Sequence, residues 1–347
     1  MQASQARDIA RQWVDDAATG LTGFRGALWH GSIITLPDDA TVQASSDIDI
    51  VLVVDDPEPQ PKLGKIDQQG VLLDVSYVRW ADVGSAEHLL ADHSLAPTFR
   101  NPEIIADPMG DLARAQREVA VGFARREWVE RRCESAKSRI LLNLGSLDPA
   151  RPFPDLVSAW LFGTGITTHV LLIAALRNPT VRKRYLAVRE MLEEYDHQKW
   201  YPEQLSLLGC ADMTQAQAQG HLAVLAEAFD AAIPVLRTPF FFASDITESG
   251  RRISIDGSRE LIENGNHREA VFWLVATYAR VQTVFHHDAP ELEERHEPGF
   301  RALLADIGIA SLADMERRGT EVQAFLPRLM EQAHTIMDET PEIECEG

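Results

Sequence analysis

Apolar residues recur along the chain in two rhythms, and the change between them falls near residue 110. Residues 4 to 19 place Ile9, Trp13 and Val14 at helical spacing, which predicts an opening helix ended by Gly20 and Gly23. Short apolar runs of strand type follow: Arg25 to His30, Asp47 to Val54, GVLLDVSYV at 70 to 78, and Glu103 to Ala106. An amphipathic helix is expected near 81 to 93, while DDPEPQPKLGK reads as turn-rich. From about 111 the period becomes 3.6, with candidate helices at 111–146, 155–176, 181–195, 213–233, 258–284 and 312–338. Residues 155–176 are apolar nearly all round, as expected of a helix at the centre of a bundle. Residues 239 to 257, PFFFASDITESGRRISIDG, are the one later stretch expected to pair as strands. The pattern predicts an α+β chain, with a mixed-sheet domain over 1–110 and an all-α bundle over 111–347.

One strand breaks its own pattern. Asp47 and Asp49 sit at the start of the Ile- and Val-rich run ending at Val54. Strands disfavour Asp, and burying a carboxylate costs several kcal/mol unless something positive meets it. Period-two geometry sets Asp47, Asp49 and Val51 on one face and Ile48, Ile50 and Leu52 on the other. The two carboxylates thus project side by side, where they need a cation or a proton. A third acid, Asp74, lies inside the apolar run Leu72-Leu73-Asp74-Val75 of a later strand, and Gly31-Ser32 follows the first strand.

Composition narrows the chemistry. A net charge of −20 argues against nucleic acid as a partner, since phosphate binding relies on clustered Lys and Arg. The acid excess favours solubility and would also suit a cationic small molecule. Cys133, Cys210 and Cys345 are far apart with no CxxC, so neither a disulfide framework nor a zinc knuckle is suggested. The eleven histidines include no HExxH. The N-terminus MQASQARDIARQW is polar and amphipathic rather than signal-like, and runs such as Val170 to Leu176 are too short to span a bilayer, so a reducing cytoplasm is the expected compartment.

The ordered set Gly31, Ser32, Asp47, Asp49 and Asp74, with the wording SSDIDIVLVV, resembles the signature of the polymerase-β-type nucleotidyltransferase superfamily. Residues 33 to 46 form a longer spacer than that signature carries, and Ile33-Ile34-Thr35 follows the Gly-Ser pair, but lengthening a polar surface loop costs little. The resemblance implies that Asp47 and Asp49 hold two Mg²⁺ ions. Asp74 would help hold the ion that meets the acceptor hydroxyl, and the Gly31-Ser32 turn would contact the triphosphate of ATP. Hard cations prefer oxygen ligands, and two of them can activate an attacking hydroxyl and stabilise the leaving pyrophosphate. A sheet domain followed by a helical, substrate-binding domain is similar to the antibiotic nucleotidyltransferases, including those that modify kanamycin and streptomycin. In that comparison Glu134 and Lys137, in RRCESAKSRI, are placed to act as catalytic base and nucleotide-binding cation; the alternative is an ion pair on a solvent-facing helix.

The resemblance therefore implies transfer of AMP from ATP to a hydroxyl of a small, aminoglycoside-like acceptor. Transfer to a protein or RNA hydroxyl is one alternative, and a non-catalytic nucleotide-sensing protein is another. Trp160, Phe162, Trp200 and Trp273 are read as core aromatics, with a substrate pocket as the alternative. Glu193-Glu194 and the acids from Glu291 to Glu297 are read as solvated faces, and Gly163-Thr164-Gly165 lacks the Lys of a phosphate loop.

Overall fold

The computed structural model describes every residue except 19, 57, 59–61, 101–102 and 345–347, so Cys345 lies outside the described residues. The chain is α+β, and it divides into two compact units, Met1–Arg132 with Glu342–Gly347, and Cys133–Pro341.

The first unit is built on five strands: β1 (Phe24–His30), β2 (Ile48–Val54), β3 (Gly64–Gln68), β4 (Val71–Arg79) and β5 (Ile104–Ala106). They lie in the order β3-β4-β2-β1-β5, with β2 and β4 parallel and the other neighbours antiparallel. One face of the sheet carries Ala27, Trp29, Ile48, Ile50, Leu52, Leu73 and Val75, and the helix Ala3–Ala18 buries Ala3, Ala6, Ala10 and Val14 against it. The alternation therefore sends Asp49 and Asp74 to the other face. The strand β3 begins at the end of the segment that the sequence marks as turn-rich, sharing Gly64 and Lys65 with it. Its one apolar residue, Ile66, packs on the core, and a two-residue loop with positive φ at Gln69 (52°) and Gly70 (83°) joins it to β4. Such loops match the twist of the strands they connect.

The spacer between Ser32 and Asp47 is tied down by the opening helix. Arg7, 6% exposed, donates to the carbonyls of Ile33 (2.8 Å) and Leu36 (2.6 Å) and pairs with Asp38. Backbone bonds from Ala3 to Ala40 (2.8 Å), Ser4 to Asp38 (3.0 Å) and Val42 to Met1 (2.9 Å) complete the seam. The helix expected near 81 to 93 is two short pieces, Trp80–Val83 and Ala86–Ala91, because Gly84 ends the first and Ser85 caps the second. The helix Asp111–Gly122 packs on β1 and on the short helices of this unit, and the unit runs past residue 110 to Arg132, within the helix Arg126–Leu144.

The second unit is helical. Phe153–Ala174 and His267–Asp288 are buried along most of their lengths and pack against each other, with Gln215–Ala232, Pro290–Asp306 and Leu312–Glu339 around them. Phe153–Ala174 is long and apolar enough to cross a membrane, yet 83% of its most apolar window is buried inside the unit. Gly163 and Gly165 belong to this helix. A Cβ on Gly165 would meet Phe272 at 2.5 Å and Arg184 at 2.7 Å, so the glycines serve close helix packing. Residues 239–257 do not pair as strands. Thr247 caps a helical turn by accepting from Gly250 N (3.0 Å), and Ala243–Asp245, Glu248–Arg251 and Arg252–Asp256 form short helical segments. The polar stretch after His287 is the helix Pro290–Asp306, whose Pro at the first turn costs no hydrogen bond. Trp160 is fully buried and Trp273 nearly so, as core residues.

Arg7→Ala would leave two inward carbonyls without their donor, and the expected loss of stability is about 1–3 kcal/mol. Equilibrium denaturation of the two proteins measures it. A loss within experimental error would mean that the spacer holds itself.

Candidate metal centre

Strand register assembles the centre. His30 of β1 stands opposite Asp49 of β2, Asp49 opposite Asp74 of β4, and Asp74 opposite Lys65 of β3. Four consecutive strands thus contribute one transverse row on the face away from the opening helix. Asp47, two residues before Asp49, joins it by the period of two. Ligand oxygens of Asp47, Asp49 and Asp74 all lie within 4.8 Å of one another, the one such group among the described residues. Asp74 is 7% exposed and the other two are half-buried.

Gly31 fixes one edge. It has φ +66°, and a Cβ there would lie 2.0 Å from Oδ2 of Asp49. The carboxylate therefore occupies the space that a side chain would take. Ser32 is exposed in the 3₁₀ turn Gly31–Ile34, directly after β1. The Gly-Ser turn and all three acids predicted from sequence are brought together.

Two lysines meet the carboxylates, and sequence reasoning missed both. Lys65 Nζ lies 2.7 Å from Asp47 and 2.8 Å from Asp74, with its side chain 5% exposed. Lys62 Nζ lies 2.8 Å from Asp74. A signal was available: the chain holds five lysines against 28 arginines, and two of the five, three positions apart, fall in the gap between Asp49 and Asp74. His30, half-buried, was missed too; its Nδ1 is hydrogen-bonded with Thr98 Oγ1 at 2.5 Å.

The electrostatics differ from one carboxylate to the next. Burial, then the charges of Asp47 and Asp74, push Asp49 well above the usual carboxylate range, and the lysines offset only part of this. Burial also pushes Asp74 up, but Lys65 and Lys62 together pull it further down, so it ends below that range. Burial lowers His30, and Asp74 restores part of the loss, leaving a ring that is neutral at pH 7. Three hard oxygen donors in one group fit a divalent cation such as Mg²⁺.

Glu134 and Lys137 belong to the second unit. They face each other on the helix Arg126–Leu144, with Lys137 Nζ 3.0 and 3.1 Å from the two carboxylate oxygens of Glu134. Their side chains are 56% and 33% exposed. No protein-family model matches the chain, and no curated protein does.

The two carboxylates predict opposite pH behaviour. A raised folded pKa at Asp49 means that its ionisation costs stability above that pKa, and the cost fades as pH falls toward about 4. Asp49→Asn is therefore expected to raise the melting temperature of chelator-treated protein near neutral pH, with a gain that shrinks on acidification. The depressed pKa of Asp74 contributes stability above the ordinary carboxylate value, which is lost as pH falls through the folded value. Asp74→Asn is expected to lower the melting temperature near neutral pH and to lose its effect in acid. Thermal melts across pH check both; equal effects for the two variants would contradict the charge assignment.

Proposed function

We propose that this chain is a metal-dependent nucleotidyltransferase that moves AMP from ATP to a hydroxyl of a small molecule. The observation that carries the reading is the group of Asp47, Asp49 and Asp74 with a Gly-Ser turn packed against the middle carboxylate. Asp47, Asp49 and Asp74 would hold Mg²⁺, which when bound supplies Lewis-acid charge to phosphate and hydroxyl oxygens. Gly31 lets the backbone approach a phosphate without side-chain obstruction, and the exposed Ser32 hydroxyl adds a donor. Lys62 and Lys65 bring positive charge to the side where a triphosphate would lie against the acids. The acidic surface of the chain suits a cationic acceptor such as an aminoglycoside-like sugar. Loss of the acceptor proton requires a base, a role the resemblance implies for Glu134, with nucleotide binding for Lys137.

Two measurements test this. Labelled ATP with a panel of hydroxylated compounds, read by pyrophosphate release and product mass, should give turnover that falls about 10²–10³-fold or more in Asp47→Asn and in Asp49→Asn. Wild-type turnover in either variant would remove the metal-site assignment, and ATP binding without pyrophosphate release across the panel would favour a sensor. Glu134→Gln should cut turnover about 10²–10⁴-fold with ATP affinity unchanged. Full turnover in that variant would reduce the pair to a helix-surface ion pair.

A further inference from the structure

We propose that Lys65 is an internal cation that makes metal uptake conditional on the nucleotide: it holds the oxygens of Asp47 and Asp74 against a bare divalent ion and yields them to metal and triphosphate arriving together. The proposal rests on the reading of the triad as a metal site.

Geometry supplies the first argument. A metal held by Asp47 and Asp74 must draw on two carboxylates that each already set one oxygen, at 2.7 and 2.8 Å, against the same ammonium group. That group is almost sealed from water, so its charge is little screened there. Strand register holds Lys65 opposite Asp74, which makes the competitor a fixed part of the sheet.

Charge balance supplies the second. Three carboxylates against the ammonium groups of Lys62 and Lys65 leave at most one net negative charge, a weak attraction for a lone divalent ion that must also displace an ion pair. Two divalent ions with a triphosphate, which carries about four negative charges, are neutral as a set. Such a set enters without building up positive charge, and its phosphate oxygens offer Lys65 a new partner in exchange for the carboxylates.

Residue choice supplies the third. In a chain with 28 arginines and five lysines, both cations at the triad are lysines. Guanidinium would grip a carboxylate in a bidentate fork, whereas an ammonium is a point charge on a flexible stem that can change partners. A permanent structural pair has no need of the rarer residue.

The test is Mn²⁺ binding to chelator-stripped protein, read by electron paramagnetic resonance, with and without a non-hydrolysable ATP analogue. Wild-type protein should bind bare Mn²⁺ weakly and take it up far more tightly with the analogue. Lys65→Met should tighten bare Mn²⁺ at least about tenfold and shrink the coupling between metal and analogue by a similar factor. Lys65→Arg should keep bare Mn²⁺ weak and also weaken uptake with the analogue. Lys62→Met, a change at the more exposed lysine, should move bare Mn²⁺ affinity in the same direction and carries the test should Lys65→Met not fold. Unchanged Mn²⁺ affinity in the folded lysine variants, with Mn²⁺ still abolished by Asp49→Asn, would overturn the proposal and leave the metal site standing. Absence of Mn²⁺ uptake in every protein, with or without the analogue, would remove the metal site as well.

Discussion

Carboxylates placed side by side on neighbouring strands repel, and the first unit is organised around meeting that repulsion. The β2–β4 pairing sets Asp49 against Asp74, with Asp47 at the strand entrance. Neither register nor burial can change without moving the apolar residues that alternate with these acids, because Ile48, Ile50, Leu73 and Val75 form the core on the reverse face. The acids are therefore held in place by the hydrophobic face, and their charge is answered from β3, an edge strand with little apolar content of its own, and from Lys62 just before it. A proton tendency at Asp49 and two ammonium groups at Asp47 and Asp74 divide the task.

How much of this was legible in the sequence depends on which force fixed each part. Strands β1, β2 and β4 and the opening helix were readable because apolar periodicity built them. The three acids were readable because they violate that periodicity. Lys65 was not, since its strand is defined by pairing with β4 and by the Gln69-Gly70 loop rather than by a hydrophobic run. Residues 239–257 misled for the reverse reason: β-type residues were present, but the local cap at Thr247 decided the conformation. Helix Pro290–Asp306 was hidden by its charged first half, since its buried residues Phe300, Leu303 and Leu304 all fall in the second half. For Glu134 and Lys137 only the spacing was legible, and an i,i+3 pair on a helix satisfies that spacing with or without a substrate.

The long spacer between Ser32 and Asp47 has a structural counterpart in Arg7. Residues 33 to 46 are held by a buried guanidinium on two carbonyls and by backbone bonds to the first turn of the opening helix. The same helix that covers the hydrophobic face of the sheet thereby fixes the loop on which Ser32 stands. An extended spacer is compatible with a defined turn because its entropy is removed by that helix and not by its own brevity.

The tight β3–β4 hairpin also bears on how the sheet is assembled. Its two strands are joined by two residues, whereas Asp49 must find Asp74 across 25 positions of chain. Local pairing is the faster of the two closures. When β2 docks, it therefore approaches a β4 already flanked by lysines, and what would be a collision of like charges becomes an attraction that guides the strand into its slot. Dissolved salt screens such guidance, so a folding rate that drops as ionic strength rises would mark the order of closure, and a rate indifferent to salt would exclude it.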